Sequence, residues 1–304
     1  MIAIRRILCP VDFSRFSQHA LQQATALARE FGAELTVLHA CAVAPVTSLA
    51  PIGAPLALEP ARLGTEERRA ITAELREFIG DAGAAGRPVM TQIVEKDPVA
   101  AIVETAARWP ADLIVLGTHG RSGFERLLLG SVAEKVLRKA PCPVLTVPNR
   151  VLSPRQDLGF SRIVCALDFS AASLRALDYA VSLAAPDGPG VTALHVVELF
   201  AEGGGMRDEV VLDTPDFRAG LIEFAQQRLR AAIRDEARRC PIAEAVTMGK
   251  AWREILRVAA DERADLIVLG VQGRTAADLL LFGSTTQHVV RQAECPVLTI
   301  RADS

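Results

Sequence analysis

Two stretches of the chain place glycines and a serine at one repeated spacing. The first reads Gly117-Thr-His119-Gly120, then nine residues, then Gly130-Ser131. The second reads Gly270-Val-Gln272-Gly273, then nine residues, then Gly283-Ser284. The shared pattern, G-x2-G-x9-G-S, suits an anion. Glycine lets main-chain N–H groups approach a polyphosphate with no Cβ in the way. A helix that begins at the serine aims its unpaired N–H groups and positive dipole end at the same point. Ser131 and Val132, and likewise Ser284 and Thr285, would then form the first turn over the anion. Either serine hydroxyl can meet a phosphate or its metal ion. A purely structural use of the same residues stays open. Ser131-Val-Ala-Glu134 and Ser284-Thr-Thr-Gln287 are also S-x-x-[EQ] capping boxes, and Gly117 and Gly270 can simply turn the chain out of a strand.

Such loops need a strand before them and a helix after them, and the chain supplies this context twice. Residues 6–14, RILCPVDFS, return at 162–170 as RIVCALDFS; DLIVLG occurs at 112–117 and 265–270; PCPVLTVP at 141–148 matches ECPVLTIR at 294–301. The copies lie 156 residues apart near their start and 153 near their end. A domain-sized period marks a duplication and not a solenoid. We expect one domain at 1–148, a linker at 149–160 and a second domain at 161–304.

Apolar runs predict strands at 7–11, 35–39, 89–94, 113–116 and 144–147. Helical periodicity predicts helices at 14–31, 65–82, 98–108 and 131–139. The second copy repeats the order, with strands near 163–167, 192–196, 245–248, 266–269 and 297–300, and helices near 171–184, 216–239, 253–262 and 285–292. Strict β-α alternation with wholly apolar strands implies a parallel sheet covered on both faces. Ligands of such sheets bind beyond the carboxyl ends of the strands, at the switch point. The chemistry is therefore expected after strands one and four of each copy.

Bulk properties exclude several classes. The chain has 304 residues and a formal net charge of -2, with no clustered basic excess to read as a nucleic-acid footprint. Its cysteines show no C-x-x-C spacing, so they read as reduced structural thiols and not as a zinc ribbon or redox motif. No apolar run reaches membrane-spanning length, and arginines and an aspartate break the N-terminal stretch. A cytoplasmic protein with no membrane or nucleic-acid partner is expected. The chain has no G-x-x-x-x-G-K-[ST] motif, no G-x-G-x-x-G after strand one and no G-x-S-x-G elbow, so P-loop hydrolysis, dinucleotide binding and elbow-serine chemistry are not indicated.

The sequence VDFS at 11–14, the long match DLIVLGTHGRSGFERLLLGSVAEKVL at 112–137 and PCPVL at 141–145 resemble the universal stress protein family of the HUP group. The resemblance covers nearly the whole chain, apart from 41–64, the linker and 198–215. It implies an α/β fold of two tandem Rossmann-like (HUP) domains, each a five-stranded parallel sheet of order 3-2-1-4-5 with helices on both faces. Its G-x2-G-x9-G-[ST] signature marks an ATP-binding branch, so ATP, with or without Mg2+, is the implied ligand. By that similarity Pro10 and Asp12, and Ala166 and Asp168, end strand one on the adenosine side. The backbone at His39-Ala40 and His195-Val196 would flank the adenine. Gly117, Gly120, Gly130 and Ser131, with Gly270, Gly273, Gly283 and Ser284, would line the triphosphate. The family also implies that strand five of each copy pairs antiparallel with the other, giving a pseudo-dimer within one chain that can associate further into a homodimer.

The second copy departs from the pattern. Pro10 becomes Ala166, and Gly123, Phe124 and Arg126 become Ala276, Ala277 and Leu279. Arg121 and Arg274 persist as loop charges or phosphate partners. His119 lies within the first loop, but Gln272 replaces it in the second, which excludes a shared acid-base role. His39 and His195 end buried strands, where packing or a backbone hydrogen bond is expected. Trp109 and Trp252 read as packing residues. No dedicated nucleophile or acid-base pair is evident. The functional expectation is an ATP-binding stress-response or signalling module with little or no turnover. The alternatives are a nucleotide-free scaffold and a slow ATPase or autophosphorylating protein.

Overall fold

In the computed structural model, which describes residues 2–42, 62–80, 88–118, 120, 129–148, 160–186, 188–198, 214–234, 240–271 and 283–302, strands and helices alternate as their patterns require. The first half runs β1 (Arg6–Val11), α1 (Arg15–Phe31), β2 (Glu34–Ala40), α2 (Thr65–Ile79), β3 (Met90–Val94), α3 (Pro98–Arg108), β4 (Leu113–Gly117), α4 (Ser131–Lys139) and β5 (Val144–Val147). The second runs β6 (Arg162–Ala166), α5 (Ala171–Leu183), β7 (Gly190–Val197), α6 (Pro215–Ile233), β8 (Ile242–Met248), α7 (Ala251–Asp261), β9 (Leu266–Gly270), α8 (Ser284–Gln292) and β10 (Val297–Ile300).

Local chemistry sets the helix ends. Ser14 and Ser170 cap α1 and α5, each side chain accepting from the N–H three residues on. These caps satisfy donors that a helix start leaves unpaired. Gly32 ends α1 at φ 61°, a left-handed conformation that glycine adopts without a Cβ penalty. Asp97 caps α3, with Pro98 at its first position, where the missing N–H costs nothing.

The strand order is β3-β2-β1-β4-β5-β10-β9-β6-β7-β8. Each half is thus a parallel sheet of order 3-2-1-4-5, the second in mirror sequence. The expected pair of five-stranded sheets is continuous as one ten-stranded sheet, because β5 and β10 pair antiparallel. In that seam Thr146 Oγ1 donates to the Val297 carbonyl at 3.2 Å, and Thr299 Oγ1 donates to the Val144 carbonyl at 3.1 Å. Both threonines are almost wholly buried, so their hydroxyls need these acceptors.

The sheet divides the apolar core in two. Ile7, Cys9, Val37, Val115 and Leu145 face α1 and α2, as Ile163, Cys165 and Val268 face α5 and α6. Leu8, Leu38, Ile114 and Leu116 face α3 and α4, as Val164, Leu194 and Ile267 face α7 and α8. Asp112 and Asp265, the first residues of the repeated DLIVLG, tie strands together. Asp112 accepts from the Arg5 and Arg6 amides, and Asp265 from those of Ser161 and Arg162, fastening the start of each first strand to the start of each fourth. Among the described residues no helix is long and apolar enough to cross a membrane.

Candidate functional site

A cavity of about 340 Å³ opens in the first half beyond the carboxyl ends of β1, β2 and β4. Leu38, Ala40, Pro98, Ile102 and Leu116 form an apolar wall, and Asp12, Gly117, Gly120, Gly130, Ser131, Val132 and Ala133 bring polar main chain and one carboxylate. β1, β2 and β4 carry their residues there because a parallel sheet ends all its strands on one side, and α4 starts at the same rim.

The start of α4 is the polar end. Gly130 is its N-cap, with no side-chain cap. The first main-chain bond of the helix runs from Glu134 N–H to the Gly130 carbonyl at 2.9 Å. The N–H groups of Ser131, Val132 and Ala133 therefore have no acceptor within the helix, and all three residues line the cavity. The Gly130 amide is committed elsewhere, to the Thr118 carbonyl at 2.8 Å. The capping boxes left open by the sequence do not form. Ser131 and Ser284 are first helical residues and not caps, and the caps, Gly130 and Gly283, have no side chain to offer. Glu134 instead pairs with Arg138 at 2.6 Å.

Gly117 and Gly270 owe their identity to packing. A Cβ on Gly117 would lie 2.9 Å from the Phe16 carbonyl oxygen, and one on Gly270 3.0 Å from the Ala172 Cβ and the Ser173 nitrogen. Each glycine lets the first helix of its half cross the end of the fourth strand. Gly120 is different: its nearest neighbour is a side chain, since a Cβ there would lie 2.7 Å from Asp12 Oδ2.

Asp12 ties the end of β1 to the start of α1. Its Oδ1 accepts from the Ser14 amide at 3.1 Å and the Ser14 hydroxyl at 2.5 Å, which steadies the cap of α1. Phe13, between them, takes φ 63°, and Phe169 in the second copy takes φ 64°. Asp168 Oδ1 accepts from the Ser170 amide at 3.0 Å in the same manner.

His39 points away from the cavity. Leu38 and Ala40 line it, so the residue between them faces the other side of β2. His39 Nδ1 bonds the Val11 carbonyl at 2.8 Å and its ring packs on Phe13 at 4.3 Å. His195 repeats this with Leu167 at 2.6 Å and Phe169 at 4.5 Å. The expectation of packing or a backbone bond describes both.

In the first half, Pro10, Asp12, Ala40, Gly117, Gly120, Gly130, Ser131 and Val132 thus converge on one hollow. His119 and Arg121 lie outside the described residues, as do Gly273 and Arg274 of the second half, the linker at 149–159 and residues 43–61. Pro98, Ile102 and Ala133 line the hollow without having been singled out. The rule that ligands sit beyond the strand ends pointed to the segments after β1 and β4, and so to the start of α4, but not to α3 or to which apolar residues face the opening.

The second half brings Ala166, Asp168, Val196, Gly270, Gly283, Ser284 and Thr285 to corresponding strand and helix ends, with other neighbours. Thr286, in the place of Ala133, donates its hydroxyl to the Gly270 carbonyl at 3.0 Å. Trp252 stacks on His288 with ring centroids 4.9 Å apart, and His288 Nδ1 bonds the Ser284 carbonyl at 2.8 Å. Trp109, by contrast, ends α3 and packs on the core.

No disulfide joins the cysteines. Burial pushes Cys142 and Cys295 up to about 12 and drives Cys9 and Cys165 higher still. At neutral pH these four are inert thiols.

The model of the universal stress protein family matches residues 3–148 and again 159–301. A universal stress protein of Methanocaldococcus jannaschii is 36% identical over 143 residues, which cover 47% of this chain and 81% of that protein. One from Synechocystis is 25% identical over 317 residues, covering 98% of this chain and 100% of that one. The crystal structure of a universal stress protein from Archaeoglobus fulgidus superposes with a TM-score of 0.59 at 20% identity, over 97% of this chain and 96% of its own, a likeness of fold. Matched on both halves and folded as two fused copies of one α/β unit, the chain belongs to the universal stress protein family.

Proposed function

We propose that the first half binds ATP, with or without Mg2+, and that the protein is a cytoplasmic stress-response module with little or no turnover. The observation that carries this reading is the start of α4. Three amides without intrahelical acceptors meet a cavity whose opposite wall is apolar. An adenine ring suits the wall of Leu38, Ala40, Pro98, Ile102 and Leu116, and a phosphate suits the amides and the helix dipole. Gly120 leaves space beside Asp12, and the Ser131 hydroxyl, which does not cap the helix, would meet a phosphate or its ion.

Slow chemistry follows from the same inventory. Asp12 is the only ionisable residue among the described ones that line the cavity. Its Oδ1 already holds Ser14, which leaves it poorly suited to take a proton from water. Occupancy, and not hydrolysis, is then the signal.

Calorimetric titration with ATP, with and without Mg2+, tests the proposal. Saturable binding is expected, weakened at least about tenfold by Gly120→Ala combined with Gly130→Ala. Unchanged affinity in that variant would reject the site. No heat of binding at all would favour the nucleotide-free scaffold.

A further inference from the structure

The opposite face of the sheet holds a second hollow, in the second half. It lies between α5 and α6, has a volume of about 430 Å³, and is lined by Phe169, Leu174, Leu177, Asp178, Arg228, Ala231 and Ala232. The duplication explains its origin. Leu75 and Ile79 of α2 are the buried counterparts of Leu229 and Ile233 of α6, so Phe78 corresponds to Ala232 and Glu74 to Arg228. In the first half the Phe78 ring meets Phe13 edge-on, with centroids 5.6 Å apart. In the second half Phe169 repeats Phe13, but an alanine methyl stands where the second ring would be. The first copy thus shows what fits: a phenyl ring seated edge-on against Phe169.

The replacement of Glu74 by Arg228 adds a charge. The Arg228 guanidinium lies 4.2 Å from the Phe169 ring centroid and 6.0 Å from that of Phe224, which is 60% exposed. A guanidinium stacked on a ring keeps its in-plane N–H donors directed past the ring edge, where they fit a carboxylate in a two-point pair. Arg228 stands on the α6 side of the cleft, which places the carboxylate there. The cleft is open to solvent, and its apolar side chains beside the Arg228 guanidinium offer a ring a seat and an anion a partner.

We propose that this cleft binds a small aromatic carboxylate, with the ring in the place of the missing phenyl and the carboxylate on Arg228. It is separate from the nucleotide cavity, and its test does not depend on ATP binding. The probe is 3-phenylpropionate, titrated into the full chain and followed by ligand-observed NMR, with 2-phenylethylamine as the amine control.

The acid is expected to bind and the amine to bind at least about tenfold more weakly, because charge-assisted hydrogen bonds favour the carboxylate. Ala232→Phe, which restores the side chain of the first copy, should abolish binding. Arg228→Gln should weaken it at least about tenfold while the fold, read by circular dichroism, is unchanged. If Ala232→Phe fails to fold, Arg228→Gln carries the test. Equal binding of acid and amine, or undiminished binding in Arg228→Gln, would overturn the proposal. So would a probe that does not bind while Phe224→Ser dissolves a dimer in sedimentation, since a second copy would then be the occupant of this face.

Discussion

The two halves share a backbone and distribute space differently. On the face of α3 and α4, small residues of the first half, Ala40 and Ala133, border a hollow at the start of α4. The second half has Val196 and Thr286 at those positions, and Thr286 ties the first turn of α8 to the end of β9. On the other face the relation reverses: Phe78 packs against Phe13 in the first half, and Ala232 leaves a cleft beside Phe169 in the second. Duplication fixes strand order and helix placement twice over. It leaves the side chains at each hollow open to change, because a fold tolerates single differences at its margins while its central strands stay closed.

The largest expected effect comes from charge. Ser131→Asp places a carboxylate at the start of α4, where it favours the helix dipole but repels a phosphate. ATP affinity measured by calorimetry should fall on the order of 100-fold. Ser284→Asp should leave the first site unaffected. Equal losses from the two variants would break the proposed asymmetry between the halves.

Next come the two close-approach glycines. Gly117→Ala and Gly270→Ala each push a Cβ into the first turn of a helix at about 3 Å. Overpacking of this kind costs roughly 1–3 kcal/mol, to be read from urea denaturation midpoints. Here the halves should respond alike in stability, since the same close approach of a helix constrains both residues.

The smallest effect tests steric difference alone. Ala133→Thr combined with Ala40→Val gives the first cavity the side chains of the second half. A loss of ATP affinity of about tenfold or less is expected, with little change in stability. An unchanged affinity would move the difference between the halves away from these positions.

Much of this architecture was legible beforehand. The runs at 144–147 and 297–300 and the periodic stretches at 98–108 and 131–139 coincide with β5, β10, α3 and α4, because wholly apolar strands and one-sided helices leave an unambiguous period. Of the helix read near 216–239, α6 covers Pro215–Ile233, and 235–239 lie outside the described residues. The site was legible as a list of glycines and a serine but not as a set of causes. Gly117 was singled out for a phosphate, lines the hollow, and is also required by the close approach of α1. Ser131 offered a capping box and turned out to follow its own cap. A one-dimensional pattern records residue type and spacing, and several physical demands can select the same type.

By itself the sequence determined the duplication, the alternation of strands and helices, the parallel halves and the neighbourhood of the glycine–serine turn before α4. Those follow from local preference and from periodicity, which each segment carries within it. Tertiary structure alone decided which residues meet across the β5–β10 seam, that His39 turns its ring from the cavity, and that one hollow opens at the start of α4 and another beside α6. These outcomes depend on which side chains from distant segments reach the same point. That is fixed by three-dimensional packing, which no single stretch of chain contains.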